Sequence, residues 1–267
     1  MSSNEILQRI KELYKSNGLN CCDEELIHKA CIHKNECWNE VSIKERGYEN
    51  NKMPLPYIGD KFKGDLLCIG LNLNDYGGKN AYINLIDNEE YGAKKLLTNE
   101  AIKIHGSLLF HRMSVYANII LGCYKYEDDK ILSLDDRVLY YSKDYLAKIY
   151  SELIFLNAIK CSPKGGRSEP FELMYVHCFN NILCNEIKII KPKNILIFDK
   201  KISDFIKIKF GCTNNIPKEN MEYYKTSIEN TPVDVYRIIH PQYRRGGSSV
   251  KLITELHDLK QRVRVLP

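Results

Sequence analysis

Four short apolar stretches rich in β-branched residues constrain this chain more than anything else in it: 65–71 (DLLCIGL), 152–158 (ELIFLNA), 194–198 (NILIF) and 234–239 (DVYRII). Near-continuous apolar runs of this length are how strands look when a parallel sheet buries them on both faces. Helical patterns separate them, most clearly over 99–121 and 169–190, the second closed by Lys191-Pro192 just before the next strand. Strands alternating with helices predict an α/β fold, a three-layer α/β/α sandwich around a central four-stranded parallel sheet. In such sheets ligands bind beyond the carboxyl ends of the strands. There the first strand runs into Asn72, the second carries Asn157, the third meets Asp199 and the fourth ends at His240-Pro241. Singly, each of these residue types is common in turns and caps. Two amides and an imidazole at one edge of one sheet predict a polar pocket.

A length of 267 residues without internal repeat or low-complexity linker fits one domain, 1–267, with a helical and cysteine-bearing N-terminal extension over 1–63. The loop-like segment 47–63 joins that extension to the first strand, and the acidic segment 124–136 reads as a surface excursion. Ile6, Leu7, Ile10 and Leu13 fall at helical spacing between charges, an amphipathic helix rather than a signal peptide. No run is apolar enough to span a bilayer, so a cytoplasmic protein without membrane association is expected. A net charge of +5 permits nucleic-acid binding without requiring it. In a reducing compartment the ten cysteines are buried thiols, metal ligands or a nucleophile rather than disulfides. The alternation in DKKISDFIKIKF (199–210) marks the wet face of a surface element.

Three motifs sharpen the reading. GLNLNDYGG (70–78) resembles the first active-site motif, G-x-N-P-G, of the single-strand-selective and mismatch-specific branches of the uracil-DNA glycosylase superfamily. IIHPQY (238–243) resembles the superfamily's second, DNA-inserting motif, which begins His-Pro. NAIKCSPKGGRSEP (157–170) is similar to N-x-x-K-C-x-P-x-x-x-R of the iron-sulfur branch, with Asn157, Lys160, Cys161, Pro163 and Arg167 at that spacing. The resemblance runs from about residue 31 to residue 243. Leu73 stands where the family has proline and Gln242 where serine is common; the segment 75–91 lacks the usual G-x-P-F, and Asp199 takes a place often held by glycine.

The resemblance implies a monofunctional DNA glycosylase acting as a monomer on DNA, and a [4Fe-4S] cluster held by Cys31, Cys37, Cys161 and Cys178, soft thiolates being the donors such iron accepts. Cys21 or Cys22 could replace Cys31, and Cys184 could replace Cys178. A compact zinc site of His28, Cys31, His33 and Cys37 is the alternative metal reading. Cys68, within the first strand, reads as a core residue, and Cys123 and Cys212 have no partner spacing.

Cleaving an N-glycosidic bond leaves negative charge on the departing base and positive charge on the sugar, and a dry site of hydrogen-bonding groups stabilises both. On that chemistry His240 donates a hydrogen bond to a base carbonyl as it gains charge, and Asn72 orients the water or supports the sugar. Asn157 meets the edge of the flipped base, because an amide can both donate and accept. Tyr76 and Tyr82 are candidates to stack on the base. Gln242, Tyr243, Arg244 and Arg245 are the expected DNA contacts, the arginines on phosphates and the other two in the gap the nucleotide leaves. Asn72 cannot serve as a general base, so turnover is expected to be modest. Which base is excised stays open between uracil or a related lesion and a bulkier modified base; a catalytically silent DNA-binding protein is the other class.

Overall fold

The computed structural model describes residues 1–19, 31–39, 56–71, 107–122, 148–160, 170, 172–239 and 249–265. Among these residues seven strands form one mixed sheet: β1 (Tyr57–Ile58), β2 (Leu66–Gly70), β3 (Leu153–Asn157), β4 (Asn194–Ile197), β5 (Thr213–Pro217), β6 (Met221–Ile228) and β7 (Thr231–Ile238). Their order across it is β1-β3-β2-β4-β7-β6-β5. The expected sheet of four parallel strands is therefore too small. The four expected stretches pair parallel to one another as β3-β2-β4-β7, but β1 adds to one side and β6 and β5 to the other, all antiparallel.

The extra strands have physical causes that apolar content does not reveal. β6 and β7 form a hairpin whose two turn residues, Glu229 and Asn230, both have positive φ, at 49° and 65°. That is the two-residue turn whose twist matches the strands it joins. β6 carries a buried carboxylate that is neutralised locally. The buried Glu222 accepts from Lys207 Nζ at 2.8 Å and faces Arg237 on β7. β5 is an exposed edge strand with a shifted register and a terminal proline, features that discourage pairing with a further strand.

Alternation along the strands sends their side chains to two cores. Leu67, Ile69, Ile154, Leu156, Ile195, Ile197, Val233 and Val235 pack on one face. It is covered by α1 (Ser3–Ser16), by α4 (Glu172–His177) running through a π-helical segment (Cys178–Leu183) into α5 (Cys184–Ile190), and by α6 (Lys200–Phe210). Leu66, Cys68, Leu153, Leu196, Tyr236 and Ile238 pack on the other, against α3 (Ser107–Leu121) and α7 (Ser249–Val265). The short α2 (Lys34–Asn39) lies against α4. No helix among the described residues is long and apolar enough to cross a membrane.

Local signals explain the helices that carry the site. Ser2 caps α1 through a reciprocal box: its hydroxyl accepts from the Glu5 N–H, and the Glu5 carboxylate accepts from the Ser2 N–H at 2.6 Å. Ile6, Ile10 and Tyr14 then bury one face. Asp199 caps α6 by accepting from the Ile202 N–H at 2.8 Å, so at the end of β4 it is a helix cap. α5 stops at Lys191, whose φ of 52° is left-handed. Lys191→Gly should raise stability by about 1 kcal/mol, because glycine adopts that conformation freely and the ion pair it removes, Lys191 with Glu229 at 3.4 Å, is exposed. A urea titration showing an unchanged or lower midpoint would contradict this.

Candidate functional site

β2 and β3 leave the sheet side by side. Gly70 and Asn157 form their last parallel rung, and the ladder continues one step beyond, with the Ala158 N–H donating to Gly70 O at 2.9 Å and the Ile159 N–H to Leu71 O at 2.8 Å. Asn157 therefore sits on a held backbone rather than a free loop, and it is 8 % exposed. Its side chain needs the neighbouring glycine. A Cβ on Gly70 would lie 2.7 Å from Asn157 Oδ1 and 3.2 Å from the Phe155 ring. Since β2, β3, β4 and β7 are parallel, Leu71, Asn157, Phe198 and Ile239 all stand at the same edge of the sheet.

Directly behind that edge lies a buried ionic network that the motif spacing alone did not disclose. Lys160 Nζ donates to the Asn157 carbonyl oxygen at 2.6 Å and to Glu186 Oε1 at 2.8 Å. Lys160 and Glu186 are 2 % and 0 % exposed. The Tyr14 hydroxyl donates to the same Glu186 oxygen, and the Lys160 ammonium lies 5.3 Å from the centre of the Tyr14 ring. Glu186 Oε2 accepts no hydrogen bond among the described residues. The network joins α1, the end of β3 and α5. Its effect on the site is positional: the ammonium fixes the carbonyl of the residue whose amide is turned toward Gly70.

A second group of candidate side chains lies where α2 meets α4. Cys37 is buried, Cys178 is buried at the first position of the π-helical segment, and Cys31 is half-buried just before α2. Cys37 Sγ lies 3.8 Å from the Leu173 carbonyl oxygen. Burial, and then the neighbouring thiols of Cys178 and Cys31, push the Cys37 pKa up to about 12. In the absence of a metal that thiol keeps its proton at neutral pH, and metal binding there would release it. Cys184 is raised to about 11 by burial and feels Lys209 and Lys188 instead of other thiols, so Cys178 is the one that faces Cys37. Cys68 is buried in β2 as a core residue, and Cys212 is exposed.

On the outer side of the same contact the His33 and His177 rings stack with centroids 4.3 Å apart and an interplanar angle of 16°. His177 Nε2 lies 2.8 Å from Glu36 Oε2. Burial, and then the charge of His177, hold the His33 imidazole below its ordinary range, against a smaller opposing effect of Glu36. His33, Glu36 and His177 each bring a ligand atom within 4.8 Å of the others, and among the described residues no group of three thiols gathers as closely. Glu36 and His177 were not singled out by sequence reasoning; the available signal was a histidine directly before a proposed cysteine ligand.

Of the residues expected to act, Asn157 is thus placed at the sheet edge, and Cys31 and Cys178 lie near Cys37 on the α2 and α4 side. Asn72, Tyr76, Tyr82, His240, Gln242, Tyr243, Arg244, Arg245 and Cys161 lie outside the described residues, as do Cys21, Cys22, Cys123 and His28. No protein-family model matches the chain, and no curated protein matches it either.

Proposed function

We propose that this protein is a DNA glycosylase that flips a uracil-like base out of DNA and hydrolyses its N-glycosidic bond. The observation that carries the reading is the Gly70–Asn157 rung. It sets a nearly buried amide at the carboxyl edge of a parallel strand set, beside the strand that leads to Asn72 and at the edge reached by the strand that leads to His240. The motif resemblance supplies the reaction, and with it the α/β/α sandwich around four parallel strands as the core of the larger sheet. In this reading Asn157 pairs with the base edge, His240 hydrogen-bonds the base carbonyl as charge develops, and Asn72 supports the water or the sugar. Tyr76 and Tyr82 stack on the base, while Gln242, Tyr243, Arg244 and Arg245 meet the DNA. The protein acts as a cytoplasmic monomer.

The same resemblance assigns a [4Fe-4S] cluster to Cys31, Cys37, Cys161 and Cys178. The three described thiols suit it in kind, being soft donors, and Cys178 and Cys31 lie close enough to Cys37 to raise its pKa. A cluster there would supply a structural tie between the N-terminal segment and α4.

The test is alkali-sensitive strand cleavage of labelled oligonucleotides carrying uracil, hypoxanthine, hydroxymethyluracil or modified cytosines. Release from one of them, abolished in His240→Ala and slowed about 100-fold in Asn157→Ala, is the expected result. The bulkier modified bases report the alternative substrate class. DNA binding without release from any substrate would replace the enzyme by a catalytically silent DNA-binding protein.

A further inference from the structure

We propose that His33, Glu36 and His177 form a binding site for a divalent transition-metal ion, separate from the thiols beside them. The geometry is that of a chelate. Two imidazoles and one carboxylate bring donor atoms within 4.8 Å of one another, from two elements distant in sequence, and the 2.8 Å contact of His177 Nε2 with Glu36 Oε2 is a hydrogen bond that an ion would replace with little movement of either side chain. The His33 and His177 rings stack at 4.3 Å with an angle of 16°, so the half-buried His33 ring turns out of the stack when both nitrogens take one ion.

The donor set defines the ion's class. Imidazole nitrogen and carboxylate oxygen suit zinc, iron(II), cobalt and nickel better than magnesium or calcium, which take oxygen donors. Three protein ligands leave at least one coordination position for water. The position of the site gives it a structural consequence, because Glu36 lies on α2 and His177 ends α4. An ion bridging them would clamp α2 onto α4, the contact that also sets Cys37 against Leu173. Glu36 is 62 % exposed and His177 18 % exposed, so the ion can enter without the protein opening.

Cobalt(II) titration of the full chain, as purified, distinguishes this site from the thiols, because cobalt held by thiolate shows an intense near-ultraviolet charge-transfer band and cobalt held by nitrogen and oxygen does not. One equivalent is expected to bind with visible ligand-field bands alone. Affinity should fall at least about tenfold in Glu36→Gln and in His177→Ala, as loss of a ligand should cost no less than loss of an outer-sphere partner, and should be kept in Cys178→Ser. Glu36→Gln changes an exposed side chain and keeps its shape, so it remains informative even if His177→Ala fails to fold. Competition by zinc for the bound cobalt would identify the same ion class without relying on colour. Binding unchanged in Glu36→Gln, or a charge-transfer band that disappears in Cys178→Ser, would overturn the proposal and give the ion to the thiols. The outcome does not depend on base excision, so it stands or falls apart from the glycosylase reading.

Discussion

Lys160→Met is expected to lower the free energy of unfolding by about 3–5 kcal/mol, the usual cost of removing one partner from a buried ion pair. The reason lies in what it leaves behind. Glu186 is fully buried, and one of its oxygens already accepts no hydrogen bond among the described residues. Without the ammonium its remaining described partner is the Tyr14 hydroxyl. The Asn157 carbonyl loses its donor in the same step. Methionine fills nearly the volume of the lysine stem, so lost packing contributes little and the uncompensated charge dominates. The double variant Lys160→Met, Glu186→Leu should recover much of the loss, since replacing both members of such a pair by apolar residues is often close to neutral. Urea unfolding followed by circular dichroism measures both. A single-variant loss below about 1 kcal/mol, the range of exposed pairs, would mean that water reaches the network.

Gly70→Ala should separate activity from stability. The added methyl meets Asn157 Oδ1 at 2.7 Å and the Phe155 ring at 3.2 Å. The ring can turn aside at small cost, but the amide can yield only by leaving its place beside the strand end. Overpacking of this kind costs about 1–3 kcal/mol, which a domain of this size can survive. A displaced binding amide costs more in rate: a shift of about 1 Å in a positioning group can slow a reaction roughly 100-fold. On the proposed glycosylase reading, single-turnover base release should therefore fall by about that factor while DNA affinity, which that reading assigns to phosphate contacts of another segment, holds. Undiminished release from Gly70→Ala would show that Asn157 does not touch the reacting nucleotide.

The central strands were legible because each is an apolar run buried on both sides, a pattern that does not depend on its partners. β6 was not, since Glu222 and Lys225 look like surface residues until Lys207 and Arg237 are seen to neutralise the first of them. β1 is only two residues long, too short for any periodicity to register. Asn157 could be read as a site residue from its position at a strand end, whereas Glu186 could not, because on a helix it resembles any other charged residue and only burial against Lys160 reveals it. The thiol group shows the same limit. The motif resemblance named the cysteines expected to meet, but the contact between α2 and α4 joins residues 136 positions apart, and nothing local encodes His177 and Glu36 as neighbours.

The π-helical segment between α4 and α5 acts as a phase adjuster. Its wider turn is visible in the bond from the Cys184 N–H to Phe179 O, five residues back, and in Asn181 Nδ2, which donates to the His177 carbonyl at 3.1 Å. One extra residue in a helix rotates everything beyond it by about 100°. Where the segment begins, His177 and Cys178 face α2; downstream of it Glu186 faces Tyr14 and Lys160. Deleting one residue between them would restore an ordinary helix but mis-time its two halves, so that either the thiols or the buried carboxylate would point away from their partners. The irregular turn thus lets a single rod serve two separate clusters, and shortening it would be expected to cost one of them.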